Sequence, residues 1–227
     1  MTTHTRKKRM SRRRRKAILR RRRALVLGGM ALVVILLLYL IVHALYIKFK
    51  PKADKTTLTL RENGQVRLEE VVDTDNLSVS KGELKKSIKE DINRFNKKHD
   101  EKLVRFIRIG SKDDKTYVET TYKDIDTYAK FSGYDVKLTT VKKSKCDFNA
   151  VFYRVKDSKK TKQVSDLDVK KMKYNLLTLD ENIAVKVPGE IKVVSDEGTK
   201  ITADDEVLIK PTNGDTDYAV KTYIVFE

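Results

Sequence analysis

Residues 56–72 read Thr-Thr-Leu-Thr-Leu-Arg-Glu-Asn-Gly-Gln-Val-Arg-Leu-Glu-Glu-Val-Val. Leu58 and Leu60 alternate with threonines, and Val66, Leu68 and Val71-Val72 resume the pattern after a short break. Strict alternation puts the apolar side chains on one face of a strand. The break, Glu62-Asn63-Gly64-Gln65, is a hairpin turn, because Asn-Gly tolerates the positive φ angles that a tight turn needs. The stretch therefore predicts a β-hairpin with one apolar face that something must cover. Its cover follows in the sequence. Ser80-Lys81-Gly82-Glu83 is a capping box, and Leu84, Ile88, Ile92 and Phe95 then recur at helical spacing up to about Lys98. This predicts a helix over residues 83–98 whose single apolar stripe lies on the sheet, with Lys89 on the opposite, solvated face.

Further along, Leu103 to Ile109 and Thr116 to Tyr122 predict a second hairpin around residues 110–114. Asp124 caps a short helix that runs through Phe131 and stops at Gly133. Tyr134-Val136-Leu138 and Cys146-Phe148-Ala150-Phe152 alternate as two further strands joined by a lysine-rich turn. Residues 156–173 are polar and charged, which reads as a loop or crossover. Short strands follow near 174–179, 183–187, 191–194, 207–209 and 218–226, with turns at Pro188-Gly189 and Asn213-Gly214. Strands outnumber helices and hairpins dominate, so the expected class is α+β with a mainly antiparallel sheet and one or two covering helices.

Ahead of the first hairpin the composition changes. Residues 24–47 hold no Asp, Glu, Lys or Arg, and residues 1–23 carry 13 Lys or Arg and no acid. The net charge of +18 is thus mostly a property of the tail. A run of 24 apolar residues is longer than the roughly 7–15 of a signal peptide, and predicts an uncleaved transmembrane helix. The excess of bases before it over Lys48, Lys50, Lys52 and Lys55 after it predicts a cytoplasmic N-terminus. Four segments result: a basic cytoplasmic tail (1–23), a transmembrane helix (24–47), a stalk (48–55) broken by Pro51, and an exported α+β domain (56–227). The expected location is the cell membrane, single-pass, with the domain extracellular and the apolar run acting as a signal-anchor. The bilayer is the first expected partner. Nucleic acid is disfavoured, because residues 1–23 contain no Phe, Tyr or Trp to stack on bases.

The sequence offers little catalytic machinery. Of three histidines, His4 lies in the tail, His43 in the apolar run, and His99 alone in the domain, at the end of a helix. A nucleophile–histidine arrangement would need His99 as its base, where a solvated surface histidine is the stronger reading. One Cys and one domain histidine exclude a Cys/His zinc site. The acidic runs Asp73-Thr74-Asp75-Asn76, Asp204-Asp205-Glu206 and Asp215-Thr216-Asp217 lack the spacing of an EF-hand loop. Cys146, in phase with Phe148 and Phe152, reads as a buried core residue, with an intermolecular disulfide as the alternative. Tyr117, Tyr122, Tyr128, Tyr134, Tyr153, Tyr174, Tyr218 and Tyr223 suit half-buried strand positions, while tyrosine beside lysine also suits anionic wall polymers.

The capped helix after a hairpin, then sheet, then Val187-Pro188-Gly189-Glu190-Ile191-Lys192-Val193-Val194-Ser195 and the closing run Asp217 to Glu227, resembles uncharacterised surface-exposed proteins of Gram-positive bacteria. Many of these are lipoproteins. This chain differs in having no Cys at the end of its apolar run. The expected function is that of a membrane-anchored cell-surface protein whose exported domain binds or scaffolds without catalysis. No catalytic, cofactor or metal residue is assigned and no cofactor is expected. Cell-wall polymers or another membrane protein are the further candidate partners. The alternatives are an exported hydrolase using paired carboxylates, and a transmembrane signalling protein with the basic tail as its output.

Overall fold

The computed structural model describes residues 33–41, 54–76, 79–144, 148, 150–211 and 220–227. The chain divides into two units, Met1–Lys50 and Pro51–Glu227. Of the first, the described part is one helical stretch, α1, over residues 33–41. Among the described residues no helix is long and apolar enough to cross a membrane. That corrects the expectation of a transmembrane helix over 24–47, and of a single-pass membrane protein. The rest of that run, the basic tail and His43 lie outside the described residues.

The second unit carries thirteen strands in two sheets among its described residues. The opening hairpin forms as expected, from β1 (Thr57–Leu60) and β2 (Val66–Asp73), with Leu58 facing Leu68. In its turn only Gly64 is left-handed, at φ 79°, while the Asn63 side chain accepts a hydrogen bond from the Gln65 N–H. The second hairpin pairs β3 (Val104–Lys112) with β4 (Lys115–Tyr122). Its turn falls at the end of the expected 110–114 stretch, on Asp113 and Asp114, both left-handed. Two consecutive positive φ angles match the right-handed twist of the flanking strands, and Asp tolerates that region better than most side chains.

The seven-stranded sheet runs β11-β12-β9-β1-β2-β4-β3 and the six-stranded sheet β5-β8-β13-β10-β6-β7. Their remaining strands are β5 (Lys137–Thr140), β6 (Phe152–Lys156), β7 (Lys159–Val164), β8 (Asn175–Leu179), β9 (Ala184–Lys186), β10 (Ile191–Ser195), β11 (Thr199–Ala203), β12 (Glu206–Ile209) and β13 (Thr222–Phe226). Every pairing is antiparallel except β1 with β9. Leu58, Leu68, Val104 and Val185 of one sheet join Leu177, Leu179, Ile224 and Phe226 of the other in one buried core, so the sheets pack face to face. A second core, including Phe152, Val193, Tyr223 and Val225, covers the other face of the six-stranded sheet. Both faces of β13 are therefore buried, and all five of its residues are enclosed. This is why Thr-Tyr-Ile-Val-Phe shows no polar alternation.

Three helices accompany the sheets: α2 (Lys81–His99), α3 (Ile125–Ser132) and α4 (Asp166–Lys170). The predicted cap forms in full. The Ser80 N–H donates to Glu83 Oε2 at 2.9 Å and the Glu83 N–H donates to Ser80 Oγ at 3.3 Å. Ile92 is buried, with Ile88 and Phe95 packed on the core. Asp124 caps α3 through the Thr127 N–H at 2.8 Å, and Gly133 ends it at φ 83°.

The class is nonetheless mostly β, which corrects the α+β expectation. Two added strands account for the difference. Residues 156–173, read as a loop, contain β7 and α4, and residues 199–203 form β11. Both added strands lie at sheet edges and are largely polar, so neither shows the alternation that marks a half-buried strand. Conversely, Phe148 and Ala150 are not in a strand, and β5 pairs with β8, not with the segment that follows it.

Candidate functional site

Between α2 and the edge strand β3 lies an open groove of about 720 Å³. Its floor is Ile92, Val104 and Phe106, and its rim carries Lys89, Lys102 and Arg105. Lys89 is three residues before Ile92, which puts it about 60° around the helix from that buried side chain. It borders the apolar stripe, which corrects its assignment to the opposite face. Its ammonium stands 5.5 Å from the centre of the Phe106 ring. Two amides complete the lining, Asn93 and Asn96. Asn96 locks helix to strand. Its Nδ2 donates to the Val104 carbonyl at 2.8 Å, and its Oδ1 accepts from the Leu103 and Val104 N–H groups at 3.0 and 2.9 Å. These bonds also blunt the start of an otherwise open sheet edge.

No carboxylate lines the groove, and no ion pair of Lys89, Lys102 or Arg105 occurs among the described residues. The nearest helix acids are committed elsewhere, Glu90 to Lys86 and Asp91 to Arg94. A smaller groove beside β1 and β9, of about 350 Å³, contrasts with this. There Lys55 pairs with Glu206 at 3.2 Å and Arg67 with Glu69 at 3.1 Å, so its charges are balanced internally.

Two carboxylate clusters bear on catalysis. On the outer face of the seven-stranded sheet, Arg67 reaches Glu69 and Glu119 at 3.1 and 2.9 Å. Arg108 meets the same two acids at 3.8 and 2.5 Å. Each of the four side chains is at most 15% exposed. Both acids are thus held as structural counter-ions. In the inner core, the Tyr128 hydroxyl donates to Glu181 at 2.5 Å, and Tyr122 packs edge-on against Tyr128 at 5.1 Å. Burial pushes Glu181 up to about 7, with the nearby charges of Glu70 and Asp180 adding to the effect. Burial raises Glu70 as well, and raises both tyrosines. A carboxyl near neutrality suits acid–base chemistry, but Glu181 is only 9% exposed and lines none of the four grooves described for the domain.

The residues singled out from sequence do not converge. His99 is exposed at the end of α2, its ring 4.6 Å from that of Phe95. Asp204 accepts from the Ser158 hydroxyl at 2.7 Å and Asp205 pairs with Lys186 at 3.0 Å. Among the described residues no group of three or more His, Cys, Asp or Glu is placed to hold a metal ion. Cys146, Asp215, Asp217 and Tyr218 lie outside the described residues. Tyr128 is enclosed, Tyr134 is 46% exposed, and Tyr153 has the Lys160 ammonium 5.9 Å from its ring. The groove escaped notice because its rim is contributed in pieces. The signal was there in Lys102-Leu103-Val104-Arg105-Phe106, where bases three residues apart flank apolar ones shortly after the helix.

Comparisons with protein-family models, with curated proteins and with solved structures each found no match. The functional reading therefore rests on geometry.

Proposed function

We propose that residues 54–227 form a non-catalytic binding domain and that the α2–β3 groove is its binding site. The observation that carries this reading is a concave site with an apolar floor and three cations that have no ion-pair partner among the described residues. A volume of about 720 Å³ falls within the roughly 300–1,000 Å³ of small-molecule sites. The state of the carboxylates supports binding over hydrolysis, since Glu69 and Glu119 are tied to arginines and Glu181 is enclosed. We further propose that the domain acts outside the cytoplasm, as the basic and then apolar start of the chain supports.

The chain contains no Trp, so Phe106→Trp installs a sole fluorescent reporter on the groove floor. Titrating this variant with glycan, peptide and lipid fractions should give a saturable emission shift with at least one of them. The same fractions, and model ester and peptide substrates, should come through unhydrolysed. Turnover abolished by a single Asp or Glu substitution would replace binding with hydrolysis. Protease added to intact cells should remove the domain, and its survival there would refute the external location.

A further inference from the structure

We infer that the α2–β3 groove recognises a small amphipathic anion, an acidic group carried on an acyl or aromatic body. This rests on the reading of the groove as the binding site, and adds the chemistry of what fills it. The three cations have different elements behind them: Lys89 comes from α2, Lys102 from the connection, and Arg105 from β3. All three line the groove, Arg105 from the strand edge, one residue out of phase with Val104 and Phe106. In water such charges are solvated at little cost. Brought together on one rim with no acid among them, they repel one another and favour an anion between them.

The floor sets the other half of the requirement. Ile92 and Val104 are 5% and 1% exposed, and Phe106 is half-buried above them. The polar atoms of Asn96 are spent on the backbone of Leu103 and Val104, so they add little hydrogen-bonding capacity at this end. A wholly polar anion would satisfy the rim and leave the floor wet. A neutral apolar molecule would cover the floor and leave three cations uncompensated. Only a ligand with both parts answers the whole surface. Lys89, parked over the Phe106 ring, can turn to an incoming acid while the ligand body takes its place against the ring.

The test uses the full chain and 11-(dansylamino)undecanoate, whose emission rises on entering an apolar site. We expect saturable binding that dodecanoate displaces and dodecanol does not. The Lys89→Ala/Lys102→Ala/Arg105→Ala variant should bind at least about tenfold more weakly, as loss of several rim charges implies. Lys89→Glu alone should weaken binding as well, whereas Lys142→Ala/Lys143→Ala, on an exposed turn away from the groove, should not. The basic tail is identical in all these proteins, so its contribution cancels. Displacement by dodecanol as readily as by dodecanoate would refute an anionic ligand and leave the groove as the site. Undiminished affinity in both rim variants would place the probe elsewhere and overturn the groove itself. Absence of any saturable binding would refute the amphipathic class, with the Phe106→Trp titration still reporting on the groove.

Discussion

Replacing Glu181 by Gln should stabilise the protein at neutral pH, an unusual outcome for a buried, hydrogen-bonded residue. Glu181 sits 9% exposed between the sheets, with the Tyr128 hydroxyl 2.5 Å from its Oε2. Burial raises it from 4.5 to about 7 in the folded protein. Below about pH 4.5 it is protonated whether the chain is folded or not, and pH has no purchase on it. Between 4.5 and 7 the unfolded chain gives up the proton while the folded one retains it. The folded state then binds more protons, so stability falls as pH rises, and it levels off above 7. A shift of this size corresponds to about 3 kcal/mol. Glu70 is raised by the same cause and adds to the fall. Urea unfolding at pH 4.5 and pH 8 should show the wild type losing stability between them. Glu181→Gln keeps an oxygen for Tyr128 but carries no charge, so it should match the wild type at pH 4.5 and exceed it by up to about 3 kcal/mol at pH 8. A variant less stable than wild type at pH 8 would mean that the ionised carboxylate is well accommodated, and the reasoning would fail.

Ile92→Ala should cost about 2–5 kcal/mol, from lost transfer energy and an unfilled cavity, while Lys85→Ala on the exposed side of α2 should cost about 0.5 kcal/mol or less. Equal small losses in denaturant midpoint would detach the helix from the core. Glu119→Ala removes the shared partner of Arg67 and Arg108 from a nearly enclosed network, so a loss of about 3 kcal/mol is expected. A change within 0.5 kcal/mol would show that water replaces the carboxylate without penalty.

Much of the fold could be read locally because local chemistry decided it. The Ser80–Glu83 box, the Asp124 cap and the Gly133 stop each act within a few residues and need no knowledge of the tertiary structure. The first hairpin was equally plain, since one of its faces is apolar and the other polar. Legibility ended where burial ceased to alternate. β7 is an edge strand with Val164 as its one buried residue, so Lys159 to Gln163 looked like loop. Its turn residues, Asp157 and Ser158, are both left-handed, a tight connection without the glycine that would have advertised it. β11 failed for the same reason as β7, with only Ile201 buried. The long apolar run pointed the other way. It dominated the reading of the chain, yet among the described residues no helix is long and apolar enough to cross a membrane.

The groove shows a different limit. Lys89, Lys102 and Arg105 were visible as charges, but in a chain of 50 Lys and Arg a further three carry no information. Their meaning comes from what is missing around them. Elsewhere in the domain several surface cations are matched at short range: Lys123 with Glu101 at 2.7 Å, Lys160 with Asp196 at 2.8 Å, and Lys192 with both Glu190 and Glu227. Pairing of that kind is worth little to stability one bridge at a time, so its absence around the groove costs the fold little. What the absence does is leave a positive rim above an apolar floor, where an acidic ligand would gain the counter-charge that the domain withholds. Some surface lysines find their partners in distant parts of the sequence, as Lys160 does in Asp196. Neither the matched charges nor the unmatched ones can be sorted before the sheets are assembled, and the site follows from that sorting.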